Sequence, residues 1–590
     1  MVTLFGIFET GARALFASQV ALDTTGHNIA NANTPGFSRQ RVNLSTTAPI
    51  MTAQGAIPTG VQVDSVTRLR DEFLDFQMRQ QASNREYLGK NEQIFGELQI
   101  ILQDPLNPVA GLLEESTNEA GISSLLQRFF SSFQELSANP ESTAVRATVR
   151  ETAVTLAKGL NVVSGALDDL REGLNSQIEI VVEEVNTLLE RIAQLNQEIT
   201  RIEVVPNATA NDARDIRDQL LMELAELVPV STTEEANGAV NVRILSSSVV
   251  VGNRVAPFEV DVFPGDPTRS FQIINTVERT RVLTGDFETG RLGALIQARD
   301  NLIPDAVDKI DEVARVVIRE VNRIHSESIG LEGFTDLIGT TSVQDPTSTL
   351  DTQNLDFPPQ AGNFVIRITN SDGVVQNLYT VSFDPAVDSL TTLAASIDAA
   401  DGAAGPGAGS ISAVVTADNK LQIASNGGLE FTFQGDTSNV LAALGLNVFF
   451  AGNDSQTIAV SDFILDTDLG LRRIAASSTG AEGDNGASLA IASLENDLVA
   501  GGNTATIGDF YRRIIAEVGG QAQRNKTLSE NTGAILDDLK TRQESIAGVS
   551  LDEESVNLIK FQHAFNAAAR FITTVDSLID RVVNGMGLTR

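Results

Sequence analysis

The stretch LDEESVNLIKFQHAFNAAARFITTVDSLID, residues 551–580, carries the clearest structural pattern in the chain. Apolar side chains recur at a spacing of seven residues, at Leu551, Leu558, Phe565, Ile572 and Ile579, and a second set lies three residues after them, at Phe561, Ala568, Val575 and Val582. Glu554 is the one acidic exception in the second set. This spacing is typical of helices that pack along a seam. Ser550 and Glu553 have capping-box spacing, so we predict that a terminal helix begins here.

The other end of the chain has a similar pattern. Residues 3–32 predict a helix whose apolar face is formed by Leu4, Phe8, Leu15, Leu22 and Ile29. We expect this helix to stop at Thr34-Pro35-Gly36, because a proline disfavours helical geometry in the residue before it and a glycine suits a turn. Residues 37–68 alternate like strands and predict an extended arm.

Two isolated helices of this kind are marginal in water, and a pair would still leave apolar surface exposed. We therefore predict a terminal coiled-coil domain that packs with other copies of the chain. The turn would fix how the first helix meets the arm, and Arg39 and Arg41 would pair with carboxylates of a neighbouring subunit. The predicted interface residues are Leu4, Phe8, Leu15, Leu22, Ile29, Thr34, Pro35, Gly36, Phe37, Arg39, Leu551, Leu558, Phe561, Phe565, Ile572, Val575 and Ile579.

The middle of the chain predicts a multidomain α+β fold. Helical periodicity fills 69–103, 121–138, 141–204, 211–228 and 289–327, with Pro304 as a kink, and helical pattern returns from about 485. Strand-like alternation marks 230–285 and about 340–470. We assign a terminal domain to 1–68 with 546–590, and an elongated long-helix bundle to 69–229 with 286–335 and 471–545. Residues 230–285 would form a small β-rich domain, and 336–470 an inserted, mostly-β outer domain.

The composition narrows the function classes. The 590 residues carry a net charge of −35, and such a polyanion is repelled by nucleic acid and by anionic membranes. There is no cysteine, so thiolate chemistry and disulfides are excluded. No apolar run approaches the length that spans a bilayer, and the first residues lack the pattern of a cleaved signal. We expect no nucleic-acid partner, no membrane insertion, and secretion without a cleaved signal.

The sequence shows no catalytic constellation. His27, His325 and His563 lie far apart, so a zinc-protease motif is missing, and neither a phosphate-binding loop nor a nucleophile elbow occurs. We interpret His27 as a packing or hydrogen-bonding residue at a helix end, and His563 as a surface or interface residue. The chain is predicted to be no enzyme and to hold no cofactor or metal.

The run ALDTTGHNIANANTPGFSRQRV, residues 21–42, resembles the N-terminal signature of the flagellar hook-associated protein 1 family, with Phe37 where many members have tyrosine. IAQLNQEI (192–199), NDARDIRDQLLMELAELV (211–228) and GRLGALIQARDNLIP (290–304) are similar to its helical domain, and VNRIHSESIGLEGF (321–334) fits more loosely. Residues 548–580 are a second strong match. Residues 340–470 are not diagnostic.

The resemblance implies a structural subunit of the bacterial flagellum, located outside the cell in the layer between hook and filament. Its implied partners are further copies of itself, the hook protein, hook-associated protein 3, and an export chaperone that holds the C-terminal helix during type III export.

Two other readings stay open. Rod and hook proteins carry a related N-terminal pattern, so the chain could be a hook or distal-rod subunit, although its long helical middle and the SRQRV extension count against this. The β-rich insert could instead be an adhesin-like or carbohydrate-binding module carried on flagellar assembly ends.

Overall fold

The computed structural model describes residues 4–52, 55–103, 121–205, 207–262, 271–275, 281–282, 287–402 and 409–585. Helices make up 56% and strands 17%, so the predicted mixture of the two is confirmed. The chain divides into two compact units. Unit 1 contains residues 1–94, 173–300 and 523–590, and unit 2 contains residues 95–172 and 301–522. The finer division into four domains stays a prediction.

The long helices lie close to their predicted bounds. In chain order the α-helices are α1 (Leu4–Ala30), α2 (Glu72–Gln103), α3 (Ile122–Ala138), α4 (Thr143–Glu203), α5 (Asn211–Leu227), α6 (Gly290–Gln297), α7 (Ile303–Ser326), α8 (Leu390–Ala400), α9 (Val440–Ala443), α10 (Asp462–Leu465), α11 (Gly470–Arg473), α12 (Gly486–Ser493), α13 (Ile507–Ala547) and α14 (Leu551–Gly585). The predicted break near Pro304 is confirmed, since a π-helical turn at Ala298–Leu302 precedes α7 and the proline occupies the first turn of α7. The helical pattern expected from 485 onward is interrupted at 494–506, where the chain forms turns.

The strands are short, and their pairings are antiparallel. They are β1 (Gln40–Thr46), β2 (Ile50–Thr52), β3 (Gly55–Ile57), β4 (Val61–Arg68), β5 (Val230–Glu234), β6 (Val240–Ile244), β7 (Ser247–Val251), β8 (Arg254–Val255), β9 (Phe258–Val262), β10 (Phe271–Asn275), β11 (Arg281–Val282), β12 (Asp336–Ile338), β13 (Gly362–Thr369), β14 (Val375–Phe383), β15 (Ile411–Val415), β16 (Leu421–Ser425), β17 (Glu430–Gln434), β18 (Phe450–Ala451) and β19 (Ala459–Val460). The predicted extended arm is the hairpin of β1 and β4, which pairs Gln40 with Arg68 and Thr46 with Val61.

Unit 1 is held together by helix packing and by buried side-chain amides. Leu74 and Met78 of α2 pack against Leu536 and Leu539 of α13 in one apolar cluster. A four-stranded sheet in the order β5-β6-β7-β8 lies beside α4. Buried Asn196 of α4 donates to the carbonyl of Val240 at 2.7 Å and accepts from its N–H at 3.0 Å. This bidentate pairing fixes the register of the sheet on the helix.

Unit 2 contains the mostly-β part of the chain. Two three-stranded sheets, ordered β14-β13-β17 and β12-β16-β15, share one apolar core with α8. Fully buried residues of this core come from β13, β16, β17 and α8. They include Phe364, Ile366, Leu390, Ile423, Phe431 and Phe433. In β13 and β15 the buried positions alternate with less buried ones, which is the period-two pattern that predicted a β-rich segment.

A buried histidine joins three segments of unit 2. The His325 imidazole at the end of α7 is fully enclosed, and its Nε2 accepts from the N–H of Ala475 at 2.9 Å. Nδ1 therefore carries the proton and donates to the carbonyl of Asn447 at 2.8 Å. The guanidinium of buried Arg146 adds a positive charge nearby. Burial lowers the pKa of His325 to about 4, so the ring is neutral near pH 7.

In the part of the chain that the structure describes, no helix is both long enough and apolar enough to cross a membrane.

Candidate assembly interface at the paired chain ends

The first and last helices pack against each other within one chain. The buried side of α1 is a stripe of small residues: Gly11, Ala17, Ala21, Thr25 and Asn28. At Gly11 an added Cβ would lie 2.9 Å from Ile572 Cγ1 and 2.9 Å from Phe571 Cδ1. The small side chains therefore let α14 approach the backbone of α1 closely.

The predicted large residues of α1 border this seam instead of filling it. Leu15, Leu22 and Ile29 are half-buried and Phe8 is exposed. The side chain of Leu4 lies outside the described residues. The period of seven residues predicted the helix correctly, and the role of these large residues in an interface between copies stays a prediction. Close helix packing selects small residues at the contact line, and size alone does not reveal them.

On α14 the second of the two predicted sets faces inward, except for Val582, which is 42% exposed. Glu554, Ala568 and Val575 are buried, while Phe561, Phe565, Ile572 and Ile579 are half-buried. Leu551 and Leu558, from the first set, are 52% and 38% exposed. The helix thus keeps a second apolar face outside the intramolecular pair. Whether the predicted residues touch sister subunits stays a prediction.

A polar cluster connects the two ends of the chain. Arg39 donates through Nε to Glu554 Oε1 at 2.8 Å and through Nη1 to Glu553 Oε2 at 2.7 Å. Asn28 donates to the other oxygen of Glu554 at 3.3 Å. The backbone N–H of Arg39 donates to the carbonyl of Ala547, at the end of α13, at 2.8 Å. These contacts set the axial position of α14 relative to α1.

Within its own chain the Arg39 guanidinium is bonded to two carboxylates, and its predicted pairing with a neighbouring subunit stays a prediction. Burial lowers the pKa of Arg39, but its hydrogen bonds and charge interactions with Glu553 and Glu554 outweigh this, so that the net pKa is raised. Sequence reasoning noticed Glu554 as an exception in an apolar stripe, which was the available signal for a buried ion pair.

The turn after α1 is built as its sequence predicts. Gly36 has φ = 80°, and the N–H of Phe37 donates to the carbonyl of Thr34 at 3.2 Å. Thr34, Pro35 and Gly36 are exposed, whereas Phe37 packs edge-on against the ring of His27 with centroids 5.3 Å apart. His27 also lies 3.2 Å from Asp212 of α5, in agreement with its interpretation as a packing and hydrogen-bonding residue at a helix end.

A second buried carboxylate, which sequence reasoning missed, anchors the arm. Asp215 of α5 accepts from the N–H and hydroxyl of Ser38, at 2.9 and 2.7 Å, and from Arg68 at 2.7 Å. Asp218 accepts from the same Arg68 nitrogen at 2.8 Å. The turn and the hairpin are thereby fixed to the helical part of unit 1. Both aspartates lie on a polar-looking helix face, and nothing in their spacing distinguishes them from solvated charges.

Among the described residues, no group of three or more histidine, cysteine, aspartate or glutamate side chains is arranged to hold a metal ion. The chemistry at the chain ends is that of packing and ion pairing.

Family models match three parts of this chain. "Flagellar hook-associated protein FlgK helical domain" matches residues 106–338, "Flagella basal body rod protein" matches residues 8–37, and "Flagellar basal body rod FlgEFG protein C-terminal" matches residues 544–585. The two shorter matches cover most of α1 and α14, and the longest covers helices and strands of both units.

Curated relatives match over nearly the whole length. Flagellar hook-associated protein 1 of Bacillus subtilis is 29% identical, over 100% of this chain and 99% of the relative. The proteins of the same name from Escherichia coli and Salmonella typhimurium are 25% and 27% identical, over 98% and 97% of this chain and 99% and 98% of their own lengths.

A solved structure, the flagellar hook junction protein FlgK from Burkholderia pseudomallei, has the same fold. It superposes with a TM-score of 0.52 at 16% identity and covers 80% of this chain and 100% of its own. The sequence matches along the full chain and this shared fold agree, and the chain is similar over its whole length to the flagellar hook-associated protein 1 family.

Proposed function

We propose that this chain is a structural subunit of the bacterial flagellum, that it forms the junction layer between hook and filament, and that it polymerises through its two terminal helices. The observation that carries the proposal is the pairing of α1 with α14, which leaves large apolar side chains on the outer surface of the pair. Relatives that align over the full chain are named for the hook, and the matching structure is titled a hook junction protein.

The exposed apolar surface supports assembly. On α14, Leu551, Val556, Ile559 and Leu578 are 47–65% exposed, and on α1 Phe16 is 61% exposed. Several large exposed apolar side chains on one pair of helices, in a chain with a net charge of −35, are a typical mark of a protein interface. Burial of one such side chain contributes about 1.5–3 kcal/mol, so several of them favour association. We infer that neighbouring copies cover this surface.

The finer parts of the proposal follow from the family. We infer that the layer contacts the hook protein on one side and hook-associated protein 3 on the other. We also infer that a chaperone covers α14 before the chain is exported. Its role is structural and involves no catalysis.

A hook or distal-rod subunit is the second candidate. The models that match residues 8–37 and 544–585 describe rod proteins, so the terminal helices alone fit either role. The match of residues 106–338 to the hook-associated helical domain favours the junction.

Electron microscopy of cells that lack this chain separates the two candidates. We expect hooks of normal length that carry no filaments, and restoration of filaments by the full chain. A version limited to residues 36–550 should fold but restore nothing, because it lacks both terminal helices. Loss of the hooks themselves would favour the rod or hook role, and filaments restored by residues 36–550 would contradict assembly through the ends.

A further inference from the structure

An apolar groove runs along the paired ends of the chain. Its volume is about 390 Å³, and its floor is made of small side chains from both helices, among them Gly11, Ala14, Ala564 and Ala568. Phe561 and Phe571 of α14 and Leu44 and Val61 of the β1–β4 hairpin form its walls. The groove opens to solvent along α14, where Ala564 and Ala567 are exposed. It is a cleft with space for a large apolar side chain.

On α1, the side of the helix opposite the groove carries a protruding aromatic ring. Phe16 is 61% exposed, although the rest of its face is polar or small. Successive residues of an α-helix are about 100° apart, so Phe16 lies about 200° around α1 from Ala14 on the groove floor. The groove and the protruding Phe16 ring therefore lie on opposite sides of α1.

The charges around the two features are complementary. Glu9 and Asp23 lie seven residues before and after Phe16, on the same face of α1, and both are exposed. Lys560 lines the groove, with its ammonium 5.8 Å from the centroid of the Phe561 ring. Glu9 is already paired with Arg13, so Asp23 is the carboxylate beside the ring that would meet the Lys560 cation at the edge of the groove.

We propose that the groove of one copy receives the Phe16 ring of the next copy, a contact that rests on the proposed assembly function and specifies its geometry. The Phe16 ring and the groove are different surfaces of the same molecule. Each copy can therefore insert its ring into the groove of one neighbour and receive the ring of the other neighbour in its own groove. A contact of this head-to-tail kind generates a ring or a helical layer, whereas a self-complementary contact would stop at a dimer.

Cross-linking can test the contact, because the chain contains no cysteine of its own. The double variant Gln19→Cys with Ala564→Cys keeps the Phe16 ring, because Gln19 is an exposed neighbour one helical turn away. Treated with a short bismaleimide in assembled flagella, it should yield a ladder of covalent oligomers, whereas Gln19→Cys alone should stay monomeric. The matched control pairs Gln19→Cys with Gln562→Cys, which is exposed on α14 but does not line the groove, and should give no ladder.

The outcomes distinguish the contact from the function. Normal incorporation of the double variant without a ladder, or a ladder only in the Gln562 control, would overturn the contact and leave the junction role standing. Failure of the unmodified chain to enter flagella at all would overturn both. Purified Phe16→Ala should self-associate at least about tenfold more weakly, and Phe16→Tyr should retain most of the association, as expected for an aromatic anchor. Equal association of Phe16→Ala and the unmodified chain would also overturn the contact.

Discussion

Replacing Glu554 by leucine is expected to weaken the packing of α14 on α1 by about 2–3 kcal/mol. The Glu554 side chain is only 2% exposed and is bonded to Arg39 and Asn28. Leucine has nearly the same size, so the loss comes from the unpaired donors and not from a cavity. Arg39 would keep only the exposed carboxylate of Glu553. The opening free energy of α14, measured by hydrogen exchange, reports the change.

The adjacent glutamate provides the control for this prediction. Glu553 also pairs with Arg39, but its side chain is 63% exposed, so Glu553→Gln should cost at most about 1 kcal/mol. The double variant Arg39→Met with Glu554→Leu should recover part of the loss, since it removes both partners of the buried pair. Equal effects of the two single substitutions would refute the importance of burial at Glu554.

Unit 2 is expected to lose stability as the pH falls from 6.5 toward 4. The folded state holds His325 with a pKa of about 4, whereas the unfolded chain titrates near 6.5. Between pH 6.5 and pH 4 the unfolded chain binds a proton at this histidine and the folded chain does not. The contribution of His325 to the free energy of unfolding is therefore fully present above pH 6.5 and declines below it. The loss reaches about 2 kcal/mol by pH 5. Protonated Nε2 would also point a second N–H at the amide of Ala475, and Arg146 adds a like charge.

Urea-induced unfolding at pH 7.5 and pH 5, followed by circular dichroism, measures this dependence. His325→Gln should be less stable at pH 7.5 but should lose less on acidification than the unmodified chain. His563→Gln is the matched control, because His563 is exposed on α14 and its replacement should leave the pH dependence unchanged. The same acid loss in His325→Gln and the unmodified chain would rule out His325 as its source.

The terminal helices could be predicted well because their signals are local. A capping box and a period of seven residues place the start of α14, and Pro35 and Gly36 mark the stop after α1. The break at Pro304 was predictable for the same reason, since a proline lacks the N–H that a helix interior requires. The β-rich segments were also found correctly from their alternation.

The identity of the contacting residues could not be predicted in the same way. Gly11, Ala17 and Ala21 form the seam, but small residues give no apolar signal, and their role depends on how closely α14 approaches. Arg39 and Asp215 are paired with groups that lie 514 and 177 residues away in sequence. Such pairings are decided by the tertiary fold, and a single sequence contains no local sign of them.

Hydrogen exchange of α1 and α14 in the free chain and in isolated flagella tests the central claim most directly. If neighbouring copies cover the outer faces of the paired ends, the amides of both helices should exchange at least about a hundredfold more slowly in the flagellum than in the free chain. Equal protection in the two states would show that the ends are complete without neighbours, and would contradict assembly through them.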